Sequence, residues 1–206
     1  MIRDHKIGRE IQGGSTGGAV AGFILAGGNS RRMGRDKALL KLGLGGPSLL
    51  EQTARIVSEA VGNVTVIGAP ERYGHLGWPV VADVHPGCGP MGGLQTILQI
   101  SRTDWNLVLA CDMPELTVEL ITDLAKSVLE GSFDCVISQD ASGQLHPLCA
   151  VYHRRCRPAV ERMIFDKCFT LHKLIDNLRV RHWFVADNLL LRNVNSPSDL
   201  LNTEKR

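Results

Sequence analysis

The stretch AVAGFILAGGNSRRMGRDKALL, residues 19–40, decides the fold. Its first part, AVAGFILA, is a short apolar run that stops at Gly27 and Gly28, as a buried strand feeding a tight turn does. The rest gathers Gly34 with Arg31, Arg32, Arg35 and Lys37. Gly27, Gly28 and Gly34 let backbone N–H groups approach phosphate oxygens, and the four cations lie within the same short segment. This is a phosphate-cradling composition, although it is neither a Walker A loop (G-x-x-x-x-G-K-S/T) nor G-x-G-x-x-G. The same composition also makes an ordinary exposed turn, so its meaning depends on what surrounds it.

Outward from this stretch, short apolar runs recur at VTVIG (residues 64–68), PVVAD (79–83), NLVLACD (106–112) and DCVIS (134–138). Helical patterns lie between them, at residues 47–61, 94–101 and 117–129, the last with acidic residues near its start where they suit the helix dipole. LCAVYH (148–153) and VRHWFV (180–185) are strand-like again, and residues 157–165 and 171–178 helical. Strand and helix in alternation predict an α/β fold, a three-layer Rossmann-like, mostly parallel sheet with helices on both faces. Ligands of such sheets bind beyond the carboxyl ends of the strands. The loops after Ala26, Val81 and Ala110 are therefore expected to converge on one site. Residues 1–18, which end in GGSTGG, are expected to be a flexible leader, and residues 19–206 one domain without internal repeats.

Of the 206 residues, 44% are hydrophobic, enough for a substantial core. The formal net charge is +2, with Lys and Arg dispersed, which lacks the basic stripe of a nucleic-acid binder. The six cysteines contain no C-x-x-C pair and read as small buried side chains in a reducing compartment. No apolar run of membrane-spanning length occurs, and the first residues lead into no signal-type apolar region. A cytoplasmic protein that binds neither membrane nor nucleic acid is expected.

Two further loops carry chemistry. In ADVHPGCGPMGGL, residues 82–94, a carboxylate at a strand end precedes Gly87, Gly89, Gly92 and Gly93. Such a loop can lie flat against a planar ligand, with Asp83 accepting hydrogen bonds from a base or ribose; a turn or helix cap is the other reading of Asp83. In LVLACDMPEL, residues 107–116, an apolar strand delivers Asp112 to its carboxyl end. A single carboxylate there suits Mg²⁺, which keeps several waters and takes one or two protein carboxylates beside substrate phosphates. Capping of the following helix is the alternative.

LAGG followed by S-x-RMG-x-DK resembles the nucleotide loop of the nucleotidyltransferases that share the nucleotide-diphosphosugar transferase fold. The matching residues are Leu25, Ala26, Gly27 and Gly28, then Arg32, Met33, Gly34, Asp36 and Lys37, with one filler residue inserted or omitted among members. The resemblance implies that the first four hold the base through their backbone and that Arg32 and Lys37 embrace the triphosphate. Residues 82–94 resemble the D...GPLAGI stretch of the guanylyltransferases, with Met91 for Leu, and CDMP resembles the family segment whose Asp, here Asp112, binds the metal. QLHPLCAVY (144–152) resembles a loop and strand that place a His, here His146, on the acceptor side. NVNSPSDL (193–200) resembles the C-terminal N-x-N-T/S-P-x-D of the molybdenum cofactor guanylyltransferases. There Asn193 and Asn195 would meet the amide edges of a pterin, while Ser196 and Pro197 also read as a helix start.

The resemblance runs from residue 20 to about 203. It departs at Ile67, where the guanylyltransferases commonly have Asn, so that amide contact is not carried over. The LAGG and GPMGG pair favours the guanine enzymes over cytidylyl relatives, whose first loop usually reads TAAG. The implied reaction is transfer of GMP from GTP to molybdopterin, or to its molybdenum-loaded form, with Mg²⁺ as cofactor and pyrophosphate released. Arg32, Lys37 and Asp112 would be catalytic. Leu25, Ala26, Gly27, Gly28, Lys37, Asp83 and Asp112 would bind the nucleotide, Asp112 the metal, and His146, Asn193 and Asn195 the acceptor. Molybdenum-insertion and molybdoenzyme-maturation proteins are the partners so implied. The rival readings are a cytidylyltransferase for the same pterin, a sugar-phosphate nucleotidyltransferase, and a catalytically idle nucleotide-binding protein.

Overall fold

A computed structural model describes residues 20–27, 36–129, 132–194 and 199. The leader lies outside these residues. The apolar run at the start forms β1 (Val20–Leu25), followed by α1 (Leu49–Val61), β2 (Thr65–Ile67), α2 (Pro70–Tyr73), β3 (Val80–Val81), α3 (Pro90–Ile100) and β4 (Trp105–Ala110). The second half adds α4 (Val118–Lys126), β5 (Cys135–Asp140), β6 (Leu145–His153), α5 (Arg157–Phe165), α6 (Leu171–Ile175) and β7 (Val180–Val185). The described strands form one seven-stranded sheet in the order β3-β2-β1-β4-β6-β5-β7. All neighbours are parallel except β6, which runs against both β4 and β5.

Alternation along the strands builds a core on each face. Ile24, Leu107 and Leu109 pack with Leu50, Ala54 and Val57 of α1 and Ile121 and Leu124 of α4. Phe23 and Val108 face the other way, onto Met91, Leu94 and Ile97 of α3, Val160 of α5 and Leu174 of α6. The expected three-layer α/β architecture is therefore present. Its helix ends follow local chemistry. Ser48 and Glu51 form a capping box that starts α1, and Gly62 stops it at φ 75°. Thr117 caps α4 by accepting a hydrogen bond from the Leu120 N–H.

Several boundaries differ from the sequence expectation. α3 starts at Pro90 rather than residue 94, so Gly92 and Gly93 belong to its first turn and not to a flat loop. Packing overrides their low helix propensity: a Cβ at Gly93 would stand 2.7 Å from Leu25 Cδ2, and the two hydrogens there let α3 lie close on β1. β6 begins at Leu145, three residues earlier than its apolar run suggests, because its first part pairs with β5 beyond a bulge. The short α2 has no apolar period and is not visible in the sequence pattern. Among the described residues no helix is long and apolar enough to cross a membrane. All six cysteines are free, with Cys111, Cys135, Cys149 and Cys156 buried and Cys88 and Cys168 half-buried.

Candidate functional site

Strand register brings level the strand ends from which the three expected loops leave. Leu25 lies opposite Ile67 and Ala110, and Ile67 opposite Val81, so β1, β2, β3 and β4 end level. The Ala26 N–H donates to Ile67 O and the Gly68 N–H to Val81 O, both at 2.9 Å, which extends the ladder to the edge where the loops leave. Because β6 is reversed, its first residues start at that same edge. A cavity of about 430 Å³ opens there, lined by Asp112, Gln144, His146, Phe169, His172 and Asn193 among others. Pro90, at the start of α3, also lines it, so the positive end of that helix dipole adjoins the cavity.

Lys37 and Asp112 meet at this edge, with Nζ 2.9 Å from Oδ2 and side chains 17% and 23% exposed. Lys37 is thus not an exposed loop lysine: it opens a 3₁₀ turn, Lys37–Leu39, that Asp36 caps. Asp36 Oδ1 accepts from the Ala38 N–H at 3.1 Å, and its Oδ2 accepts from the Tyr73 hydroxyl at 2.8 Å. Burial first, and the bond to Asp36 second, hold the Tyr73 phenol well above its usual range, so it stays a donor. The chain around Asp112 is tied down as well. The Val194 N–H donates to Asp112 O at 2.8 Å, and Gln52 Nε2 to Pro114 O at 2.7 Å. Since Thr117 caps α4, Asp112 is not the cap of that helix. Its Oδ1 is buried and has no hydrogen-bond partner among the described residues. Burial, helped by the Asp112 charge, pushes the neighbouring Cys111 thiol up to about 12, which keeps it neutral and non-nucleophilic.

Asp83 serves its own loop. Its Oδ1 accepts from the His85 N–H at 2.8 Å and lies 3.2 Å from Thr96 Oγ1, the turn-forming reading of this residue. Gly92 permits that arrangement, for a Cβ there would come within 2.5 Å of His85 O and 3.0 Å of Asp83 Oδ2. Asp83 does not line the cavity. Ile67, the departure from the guanylyltransferase pattern, is 3% exposed and packs in the layer of Met91 and Leu94.

His146 stands next to a bulge. Ile137 pairs with Ala150 but Ser138 with His146, so residues 147–149 are extra on β6. The fully buried Tyr152 donates its hydroxyl to Pro147 O at 2.9 Å and holds the bulge. Asn193 reaches the cavity because Val194 beside it is wholly buried against Leu49. Of the other expected residues, Ala26 is 4% exposed, Leu25 packs on Gly93, and Gly27 has φ 127°, a conformation that L side chains rarely adopt. Gly28, Arg32 and Asn195 lie outside the described residues. The structure adds residues not singled out in the sequence: Tyr73 behind Asp36, and Gln144, Phe169 and His172 in the cavity wall. Two motifs carried a signal for them: QLHPLCAVY begins with Gln144, and RMG-x-DK contains Asp36, the partner of Tyr73.

Comparison with known proteins agrees with this fold. Residues 22–182 match the family described as MobA-like NTP transferase domain. A protein of Mycobacterium tuberculosis named "Probable molybdenum cofactor guanylyltransferase" is 37% identical over 186 residues, covering 88% of this chain and 91% of its own length. One of the same name from Pelotomaculum thermopropionicum is 36% identical over 195 residues, covering 88% and 90%. Among solved structures, molybdopterin-guanine dinucleotide biosynthesis protein A from Archaeoglobus fulgidus superposes with a TM-score of 0.75 at 23% identity, covering 90% of this chain and 97% of that one. A CMP:2-keto-3-deoxy-manno-octonic acid synthetase complexed with CTP has the same fold, with a TM-score of 0.69 at 12% identity over 90% and 97%.

Proposed function

The chain belongs to the MobA-like NTP transferase family, among the molybdenum cofactor guanylyltransferases, and on that premise we propose that the cavity at Asp112 is where GMP passes from GTP to molybdopterin. The observation that carries this reading is the Lys37–Asp112 pair at the carboxyl edge of the sheet, whose Asp112 lines one cavity with His146 and Asn193. The terminal phosphate of the acceptor attacks the α-phosphorus of GTP. A P–O bond forms there, the bond to the bridging oxygen of the β-phosphate breaks, and pyrophosphate leaves. A phosphate monoester has a second pKa of about 6 and is mostly dianionic at neutral pH, so no general base is required.

The physical difficulty is to bring two anions together and to stabilise the charge that builds on the leaving group. Lys37 answers the second need: the Asp36 cap, with the Tyr73 hydroxyl behind it, fixes the turn that Lys37 opens, and Asp112 holds the ammonium. Arg32 adds a second cation in the same motif. The donor set at Asp112 fits Mg²⁺: one carboxylate, with a buried oxygen that no described residue satisfies. When bound, Mg²⁺ supplies Lewis-acid charge neutralisation at the phosphates. The nucleotide base is assigned to the backbone of residues 25–28 and the Asp83 loop, and the acceptor to His146, Asn193 and Asn195. A cytoplasmic location, supported by six unpaired cysteines, and hand-over of the product to molybdenum-insertion and molybdoenzyme-maturation proteins complete the proposal.

Parallel turnover with GTP, CTP and ATP, using molybdopterin as acceptor and mass detection of the dinucleotide, tests it. The guanine dinucleotide is the expected product. Preferential turnover of CTP would overturn the guanylyl assignment and keep the reaction class, and no dinucleotide with any of the three would favour the idle nucleotide-binding protein.

A further inference from the structure

We propose that Asp140, outside the cavity wall, is a positioning residue for the acceptor: it fixes His146 in the tautomer whose Nδ1 accepts a hydrogen bond from an N–H of the pterin. This rests on the reading that the cavity takes the acceptor. Asp140 Oδ2 lies 3.0 Å from His146 Nε2, and the two side chains are 12% and 10% exposed. A carboxylate only accepts, so the proton of the neutral ring sits on Nε2 and Nδ1 keeps its lone pair. Nδ1 has no hydrogen-bond partner among the described residues, and His146 lines the cavity.

Asp140 is itself held by its other oxygen. Oδ1 accepts from the Ser142 N–H at 2.9 Å, the Ser142 hydroxyl at 2.6 Å and the Gln144 N–H at 3.0 Å. These bonds, the Ser142 hydroxyl foremost and His146 next, lower its carboxyl to about 2, so it is an anion throughout the neutral range. One carboxylate thus orders the 140–144 turn that leads into β6 and orients the imidazole two residues beyond it. The chemistry matched is specific: a ring or exocyclic N–H donor, of which a pterin has several.

Two kinds of measurement separate the possibilities. In steady-state kinetics, Asp140→Asn lets the carboxamide donate to Nε2 and so allows the wrong tautomer. The KM for molybdopterin should rise about three- to tenfold, the scale of one hydrogen bond, while the KM for GTP stays at the parental value. His146→Gln keeps a donor toward Asp140 but loses the Nδ1 acceptor, and should match that rise. His146→Asn, whose carbonyl oxygen stands near the Nδ1 position, should recover part of it. Asp140→Asn added to His146→Gln should cost nothing more. Nitrogen-15 NMR of the histidines in the unmodified chain covers the case in which Asp140→Asn does not fold. His146 should show the Nε2–H tautomer, and its Nδ1 resonance should move on saturation with molybdopterin. An Nδ1–H tautomer, or additive effects of the two substitutions, would overturn the role of Asp140. If His146→Gln raises the acceptor KM and Asp140→Asn does not, this proposal fails and the acceptor site stands. If neither variant changes it and Nδ1 does not respond to bound acceptor, the acceptor site itself is misplaced.

Discussion

Asp112→Asn is the substitution on which the chemical reading turns. It keeps the size of the side chain and an oxygen able to accept from Lys37 Nζ, now 2.9 Å from Oδ2, but it removes the negative charge. Stability should change little. The pair is 17% and 23% exposed, between the surface case of about 0.2–1 kcal/mol and a fully desolvated pair. Part of the bond survives with the amide oxygen, and the charged oxygen that has no partner, Oδ1, is replaced by a neutral group. A net loss of about 1 kcal/mol corresponds to a fall in Tm of roughly 2–4 °C for a chain of this size.

Turnover should respond far more. Removing a group that stabilises transition-state charge typically costs about 10²–10³ in rate, or roughly 2.7–4 kcal/mol. Pyrophosphate release with GTP and molybdopterin, beside a thermal melt of the same preparation, measures both quantities. If weakened metal affinity is the cause, excess Mg²⁺ should restore part of the rate, and the midpoint of the Mg²⁺ titration should move upward. Turnover within about threefold of the parent, with an unchanged Mg²⁺ midpoint, would refute the reasoning. Asp112 would then be a structural partner of Lys37, and the metal carboxylate would have to be sought elsewhere.

Three further outcomes follow from particular contacts. Lys37→Ala should lower pyrophosphate release by a similar factor while costing about 1 kcal/mol or less by urea denaturation, and near-parental activity would remove Lys37 from the mechanism. Gly92→Ala places a Cβ 2.5 Å from the backbone oxygen of His85, which must shift, and should destabilise by about 1–3 kcal/mol with a Tm loss of several degrees; an unchanged melt would show that the Asp83 loop yields freely. The hydrogen bonds from Arg179, opposed by burial, hold the Asp134 carboxyl down at about 2, below its unfolded value of about 3.9. The stability this contributes is present above about pH 4 and is lost as pH falls toward about 2. Arg179→Ala should therefore lower stability at neutral pH and flatten its acid loss in that window, and parallel curves for the two proteins would refute the assignment.

The half of the site assigned to phosphate and metal was legible because it rests on short-range chemistry at strand ends. An apolar run that halts at Gly27 or at Asp112 marks both the strand and the residue it delivers, and parallel pairing of β1 with β2 and β4 then places those ends level. The same local logic failed at Gly92 and Gly93. Two glycines read as loop by propensity, yet here they are the surface on which Leu25 and the Asp83 loop lie against the first turn of α3. Nothing in one segment announces the close approach of another.

The half assigned to the acceptor was legible only residue by residue, because its shape comes from contacts across long separations. His146 was singled out by its resemblance, but its setting depends on a bulge that Tyr152 pins through Pro147 O. Phe169 and His172 reach the cavity from the segment that opens α6, far along the chain and without a pattern of their own. Asn193 is turned to the cavity by the burial of Val194 and by the bond from its N–H to Asp112 O. That bond also joins the two halves: the residue assigned to the metal holds, through its carbonyl, the loop that carries Asn193, assigned to the acceptor. A shift of the Asp112 backbone would thus move Asn193 with it. This is why the conservative Asp112→Asn, which leaves that carbonyl in place, separates charge from geometry better than any deletion of the turn.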